Sequence, residues 1–189
     1  MTEQDHQPAA IHEAVIRPCT EQDMRAVTEI YHHHVLHSPA TFELEPPTYD
    51  EMLSRYRKIV QGGFVYLVAE LGGEVVGYAY VSTYRERPAY RFTVENSVYI
   101  RPGMERRGLG RRLLVPLLAE CEKRPFRQVL AVIGDSANVA SIELHRSLGF
   151  EMTGTFRAVG YKFGRWLDSV LMQKAVGEGD RAPPKDPAS

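Results

Sequence analysis

SVYIRPGMERRGLGRRLL, residues 97–114, decides how this chain is read, because a strand pattern breaks there into a basic, glycine-punctuated turn that opens onto a helix. Val98 and Ile100 alternate with Ser97 and Tyr99, and Pro102 and Gly103 end the run. A helical period follows. Leu109, Leu113, Val115, Leu117 and Leu118 give a helix from residue 108 to about 124 its apolar face, with Arg111, Arg112, Glu120 and Lys123 as polar positions. The glycines therefore stand at a helix start, where four N–H groups lack intrahelical partners and about half a positive charge accumulates. That environment suits a phosphate oxygen. Gly108 and Gly110 let an anion approach the backbone, and Arg106, Arg107, Arg111 and Arg112 add charge and bidentate donors. A flexible helix start with a solvated basic face has the same residues, so this stretch alone leaves both readings open.

Two nucleotide classes are excluded by spacing. A Walker loop needs GxxxxGK[ST], and neither the lysine nor the hydroxyl follows Gly110. A dinucleotide fingerprint needs GxGxxG, and GLGRRL lacks the third glycine.

The wider chain supplies the missing context. ERRGLG followed by a helix, and then AVIGDSANVASIELHRSLGF at residues 131–150, resemble in order and separation the two cofactor-binding motifs of the GNAT superfamily of N-acetyltransferases, whose phosphate loop reads Q/R-x-x-G-x-G/A. Glu105 departs from that pattern, standing where Gln or Arg is usual. YHHHVLHSPATFE (31–43), RPAYRFTVENSVYI (87–100) and VGYKFGRWLDSVLMQ (159–173) narrow the resemblance to the phosphinothricin and methionine sulfone or sulfoximine acetyltransferase branch, over nearly all of residues 16–174. The resemblance implies an α/β (α+β) GNAT fold, a mixed central sheet of about seven strands flanked by about four helices. It implies transfer of an acetyl group from acetyl-CoA to the α-amine of a small amino-acid analogue, by direct attack in a ternary complex, in a homodimer.

Composition agrees with such a protein. The 189 residues are 43% hydrophobic with net charge −1, which suits one core and gives no basic excess for nucleic acid or an anionic membrane. No apolar run approaches the ~20 residues of a membrane span, and the polar residues 1–12 do not read as a signal peptide, so a cytoplasmic location is expected. Cys19 and Cys121, without a spacing motif, read as reduced thiols. Residues 1–13 and 177–189 (GEGDRAPPKDPAS) are polar and read as disordered tails around one domain, 14–176. Within it, a first strand is expected at 14–17 and a helix starting at Thr20 and Asp23, with Met24, Val27, Ile30, Tyr31 and Val35 inward. Thr48 and Glu51 form a capping box for a helix to about 60. Strands 64–71 and 74–84 flank the hairpin signal Gly72-Gly73, and 93–100 follows. Strand 128–133, a helix over 136–148 stopped by Gly149, and strands 151–160 and 166–173 complete the order.

Amine acetylation needs a proton acceptor, a donor for the oxyanion and help for the departing thiolate. On the resemblance, Glu95 is the expected base and His145, standing where much of the superfamily has tyrosine, the second catalytic candidate, acid or auxiliary base. Backbone N–H groups of Val98, Tyr99 and Ile100 are the expected oxyanion and thioester partners. The backbone of Arg106, Arg107, Gly108, Leu109, Gly110 and Arg111 would hold the pyrophosphate, with Asn138 and Ser141 further along the cofactor. Arg85, Arg87 and Tyr90 match the branch's anion-binding positions, and Phe42 would wall the acceptor pocket. For Glu95 the alternative is a carboxylate paired within the sheet; for the arginines, a solvated loop beside Pro88. Lys162, Arg165 and Trp166 fit a tight hairpin as well as a pocket rim. His33 and His37 have an i,i+4 spacing that can hold zinc, but no HExxH acid accompanies them, so no metal is expected. Two other functions share these motifs: acetylation of a protein or antibiotic amine, and a catalytically weak acyl-CoA-binding module.

Overall fold

The computed structural model describes residues 11–184; the expected tails at 1–10 and 185–189 lie outside the described residues. Seven strands form one sheet in the order β1-β2-β3-β4-β5-β7-β6: β1 (Val15–Pro18), β2 (Tyr66–Leu71), β3 (Glu74–Thr83), β4 (Thr93–Ile100), β5 (Gln128–Gly134), β6 (Glu151–Lys162) and β7 (Arg165–Ala175). Only β4 and β5 pair in parallel. Four helices cover the faces: α1 (Met24–His37), α2 (Tyr49–Gln61), α3 (Leu109–Glu122) and α4 (Val139–Ser147).

Period-2 patterning assigns each face its helices. Val94 and Ile133 face α3 and α4 in one core, and Tyr99, Tyr78 and Tyr66 face α1 and α2 in the other. The helices of the second core start at real caps: the Thr48 hydroxyl accepts the Glu51 N–H, and Thr20 with Asp23 forms the reciprocal box that starts α1 after a 3-10 turn. Gly72 and Gly73 both have positive φ, the conformation a two-residue hairpin requires.

The face of α3 is set by Leu109, Leu113, Leu114, Leu117, Leu118 and Cys121, all buried. Val115, expected on that face, is 47% exposed: a residue two positions beyond Leu113 lies far around the helix, and Leu114 takes the inward place. The helix α4 begins at Val139, three residues later than the sequence suggests, because Asp135 adopts a left-handed φ of +70° and Asn138 caps the helix. Residues 177–184 form turns against the domain, where Arg127 binds the Glu178 carboxylate at 3.0 Å and the Pro183 carbonyl at 3.2 Å, so the polar segment after 176 is folded back as far as it is described. Cys19 and Cys121 lie in different cores on opposite sides of the sheet, and burial pushes both thiols up to about 12.

Candidate active site

The parallel pair β4–β5 holds only from Thr93–Gln128 to Asn96–Ala131. Beyond it, Ser97 to Ile100 remain on β3 while Val132 to Gly134 remain on β7, and the sheet opens between them. The result is a slot of about 520 Å³ that crosses the sheet. Val98, Ile100, Ala131 and Ile133 line it; α1 contributes His33, His34 and His37 from one layer, and α3 and α4 contribute Gly108, Gly110, Arg111, Asn138, Ser141 and His145 from the other.

Ladder alternation tells which backbone groups face the opening. The Arg101 N–H donates to the Val76 carbonyl at 2.9 Å, so the alternate residues Tyr99 and Ser97 also bond toward β3. The N–H groups of Val98 and Ile100 point the other way, into the gap where β5 has departed. The Ile100 carbonyl meets His34 Nε2 at 2.8 Å. Tyr99 is buried and lines the slot at its α1 side.

At the mouth, three left-handed residues fall close together: Gly103 at φ +81°, Arg106 at +57° and Gly108 at +85°. Gly108 is the N-cap of α3, and the first intrahelical bond runs from Arg112 N–H to Gly108 carbonyl, which leaves the N–H groups of Leu109, Gly110 and Arg111 without intrahelical acceptors. The two glycines serve different ends. A Cβ at Gly108 would meet nothing within 4 Å, so its backbone angle alone requires glycine; a Cβ at Gly110 would fall 2.8 Å from Leu144 Cδ2, so glycine there lets α3 and α4 approach. Arg106 and Arg111 line the slot, and Arg111 also donates to the Ser147 hydroxyl at 3.2 Å. Arg107 stands outside the lining and Leu109 is a core side chain, so their part is confined to the backbone. Glu105 accepts the Gly103 N–H at 2.8 Å and thereby closes the turn, a local reason for a carboxylate at this position.

The capping oxygen of Asn138 accepts the Ser141 N–H at 3.3 Å, which leaves its Nδ2 for the slot. His145 is 2% exposed; its Nδ1 lies 2.8 Å from the Ser141 carbonyl and its Nε2 3.0 Å from Asn96 Nδ2. A carbonyl only accepts, so Nδ1 carries the proton. Burial holds the imidazole below its usual range, and Nε2 is then an acceptor already used by Asn96.

Glu95 lies on the opposite face of β4, the face shared with Ser97 and Tyr99, and is not part of the slot lining. Among the described residues it has no hydrogen bond or ion pair. Desolvation therefore raises its carboxyl above the usual value. The surrounding wall is aromatic: Tyr66 stacks on Tyr80 at 4.9 Å, and Tyr99 packs on Tyr78 at 5.3 Å and edge-on to Tyr31 at 5.2 Å.

The structure does not bring the expected acceptor residues into the slot. Arg85 stacks over the Tyr84 and Tyr90 rings at 5.1 and 5.6 Å in the exposed β3–β4 loop, and Arg87 precedes the 3-10 turn Pro88–Tyr90. This loop enters β4 two residues before Glu95. Phe42 sits over the Gly160 backbone, where a Cβ would lie 2.5 Å from its ring. The loop carrying it is tied down by buried Lys162, whose ammonium donates to the Ser38 and Thr41 carbonyls at 3.0 and 2.8 Å. Arg165 pairs with buried Asp135 at 2.5 Å, and Trp166 is exposed, so the KFGRW hairpin combines an anchor with a free surface.

Sequence reading does not single out Asn96, whereas the slot lining by Ala131–Gly134 falls within the cofactor-binding motif at residues 131–150. Asn96 carried a signal: it occupies an inward position of the strand, in phase with Val94 and Val98, where an amide needs a partner. Among the described residues no group of three His, Cys, Asp or Glu is arranged to hold a metal ion.

Comparison with known proteins follows this geometry. A family model for the acetyltransferase (GNAT) domain matches residues 16–171. The chain is 48% identical over 170 residues to phosphinothricin N-acetyltransferase of Alcaligenes faecalis, covering 90% of this chain and 86% of that protein. It is 42% identical over 163 residues to L-methionine sulfoximine/L-methionine sulfone acetyltransferase of Salmonella typhimurium, covering 86% and 95%. A GNAT superfamily phosphinothricin acetyltransferase from Sinorhizobium meliloti, solved in complex with AcCoA, superposes with TM-score 0.89 at 44% identity, covering 92% of this chain and 94% of that one.

Proposed function

Because the chain belongs to the GNAT acetyltransferase family, we propose that it moves an acetyl group from acetyl-CoA to the α-amine of a small amino acid of the phosphinothricin, methionine sulfone or methionine sulfoximine type. The observation that carries this reading is the slot itself. It begins at a helix N-terminus with free N–H groups and crosses the sheet beside a strand whose other face carries an unpaired carboxylate.

The chemistry follows from the groups present. The N–H groups of Leu109, Gly110 and Arg111, with the Arg106 and Arg111 guanidinium groups, bind the pyrophosphate of the co-substrate. Asn138 Nδ2 and Ser141 bind further along it. Val98 and Ile100 N–H groups face the thioester carbonyl and stabilise its oxyanion, worth about 10²–10³ in rate per donor. Glu95 takes the proton of the attacking amine, and its raised carboxyl matches it better to an amine than an ordinary, solvated glutamate would be. The thiolate leaves and the acetylated amine departs; no acetyl-enzyme is required.

Arg85 and Arg87 supply guanidinium groups for the acceptor's carboxylate and its second polar group, Tyr90 a hydroxyl, and Phe42 an apolar wall. Because Arg85, Arg87 and Phe42 are exposed and Tyr90 is half-buried, all outside the slot lining, the acceptor site is completed by a second subunit. Phe156, Val159, Tyr161, Phe163 and Trp166 form an exposed apolar band on the β6–β7 hairpin, and we assign the homodimer contact to it. No helix among the described residues is long and apolar enough to cross a membrane, and we assign the enzyme to the cytoplasm.

Mass spectrometry of a competition tests the reading. With acetyl-CoA and equal amounts of phosphinothricin, methionine sulfone, methionine sulfoximine and a lysine peptide, acetyl is expected on the α-amine of the small acceptors. Acetylation of the peptide alone would overturn it.

A further inference from the structure

Where β5 leaves β4, a side chain takes the place of the missing strand. The peptide joining Ile100 to Arg101 is the last of β4, and its two polar groups point to opposite edges. Its N–H, on Arg101, donates to the Val76 carbonyl at 2.9 Å. Its carbonyl, on Ile100, faces the gap, because the parallel ladder with β5 has already ended at Asn96–Ala131. His34, carried by α1 from the neighbouring layer, sets its Nε2 2.8 Å from that oxygen, and both residues line the slot.

The state of the ring follows from its partners. A carbonyl only accepts, so Nε2 carries the proton and donates it. Nδ1 is buried and meets no hydrogen-bond partner among the described residues, so a second proton there would bury an N–H without an acceptor. Burial keeps the ring below its usual range, and the charged or titratable groups near it, His33 on α1, Glu105 in the turn after β4 and Lys162 on β6, do not reverse that direction. Tyr99 packs on the ring at 5.4 Å and His33 meets it edge-on at 5.9 Å. His34 is a neutral donor of one tautomer.

Two parts of the site begin at the peptide it holds. The Ile100 N–H belongs to the preceding peptide, so its direction into the gap depends on how the end of β4 is fixed. The turn that carries Arg106 and Gly108 starts at Arg101, whose carbonyl accepts the Met104 N–H at 3.0 Å. Without His34 this end of the strand would be paired along its β3 edge alone.

We propose that His34 is a positioning residue: its Nε2–H takes the rung that β5 vacates and holds the end of β4 so that the Ile100 N–H faces the thioester carbonyl. This rests on the reading of the slot as the acyl-CoA site.

Kinetics and calorimetry on three variants test it. His34→Leu keeps bulk and removes the donor; it should lower kcat about 10- to 100-fold, as a displaced oxyanion donor does. Its affinity for free coenzyme A, which has no acyl carbonyl, should stay within about threefold of wild type. His34→Asn carries an amide on a shorter arm and should be as slow as His34→Leu. His34→Gln, whose amide nitrogen reaches the place of Nε2, should recover kcat to within about threefold of wild type. Wild-type kcat in both the leucine and asparagine variants, a His34→Gln as slow as His34→Leu, or parallel losses of kcat and coenzyme A affinity would each overturn the proposal. Nitrogen-15 spectra of histidine-labelled wild type give a check that needs no stable leucine variant. The signal missing from His34→Gln should be that of a neutral ring protonated at Nε2 between about pH 6 and 8, and a ring protonated at Nδ1 would overturn the proposal. A wild-type protein that does not bind coenzyme A would instead overturn the underlying reading of the slot.

Discussion

Glu95 is a carboxylate without a counter-charge in a wall of tyrosines, and that isolation has two measurable consequences. Its loss should cost rate more than binding: Glu95→Gln is expected to lower kcat by about 10²–10⁴ while coenzyme A affinity stays within about twofold, read by steady-state kinetics and calorimetry. It should also stabilise the fold. Because burial raises the carboxyl, the folded chain holds the proton to higher pH than the unfolded chain, and stability declines as pH rises through the interval between the two values. Glutamine removes that decline. Glu95→Gln should therefore raise the melting temperature at pH 8, with the gain shrinking toward pH 4, where wild type is protonated in both states. Glu95 was legible in TVENSVYI through its family resemblance, and its lack of a partner was not, since pairing depends on which side chains the next strands bring near. Asn96, one residue later, was passed over for the same reason: the partner that gives it meaning, His145, is 49 residues away.

Secondary elements were legible where the signal was local. The strand β4 has the expected bounds, Thr93–Ile100, and the Gly72-Gly73 hairpin and the Thr48 cap are where their residue types require. The differences have causes in local backbone geometry that residue type alone does not announce. Val115 belongs to the apolar pattern of α3, yet the helix turns it outward, and the helical pattern from residue 136 does not announce the left-handed Asp135 that delays α4 to Val139. Leu113→Ala should destabilise the protein by about 2–5 kcal/mol in denaturant unfolding, and Val115→Ala by about 0.5 kcal/mol or less. Gly108 ties this helix to binding. Gly108→Ala should cost about 1 kcal/mol of stability from its φ of +85°, and Gly108→Glu should in addition weaken coenzyme A binding by well over tenfold, because it sets a negative charge against the free N–H groups. Equal affinity in the two variants would contradict the placement of the pyrophosphate at this turn.

The whole molecule works through a single topological fact, the departure of β5 from β4 after four paired rungs. No stretch of sequence contains it. β5 is drawn away because its other edge pairs with β7 over seven residues, from Gln128–Ala175 to Gly134–Ser169, while β4 is held by β3 through Ile100. The sequence specified both strands, and their divergence arises only from the sheet order. The same scale governs assembly. The β6–β7 hairpin leaves Phe156, Tyr161 and Trp166 exposed, and sedimentation should give twice the 21.4 kDa chain mass for wild type and the chain mass for Phe156→Asp combined with Trp166→Asp. A monomeric wild type would remove the second subunit from the acceptor site.

Acetyl passes through the slot to an amine on the Glu95 side of β4 in the proposed reaction. Thiol release from acetyl-CoA, followed with methionine sulfone, methionine sulfoximine and phosphinothricin for wild type and Glu95→Gln in parallel, tests it most directly. Turnover by wild type on at least one of these acceptors, with kcat in Glu95→Gln reduced about 10²–10⁴-fold, is the result expected. Equal rates for the two proteins, or no release with any of the three acceptors, would contradict it.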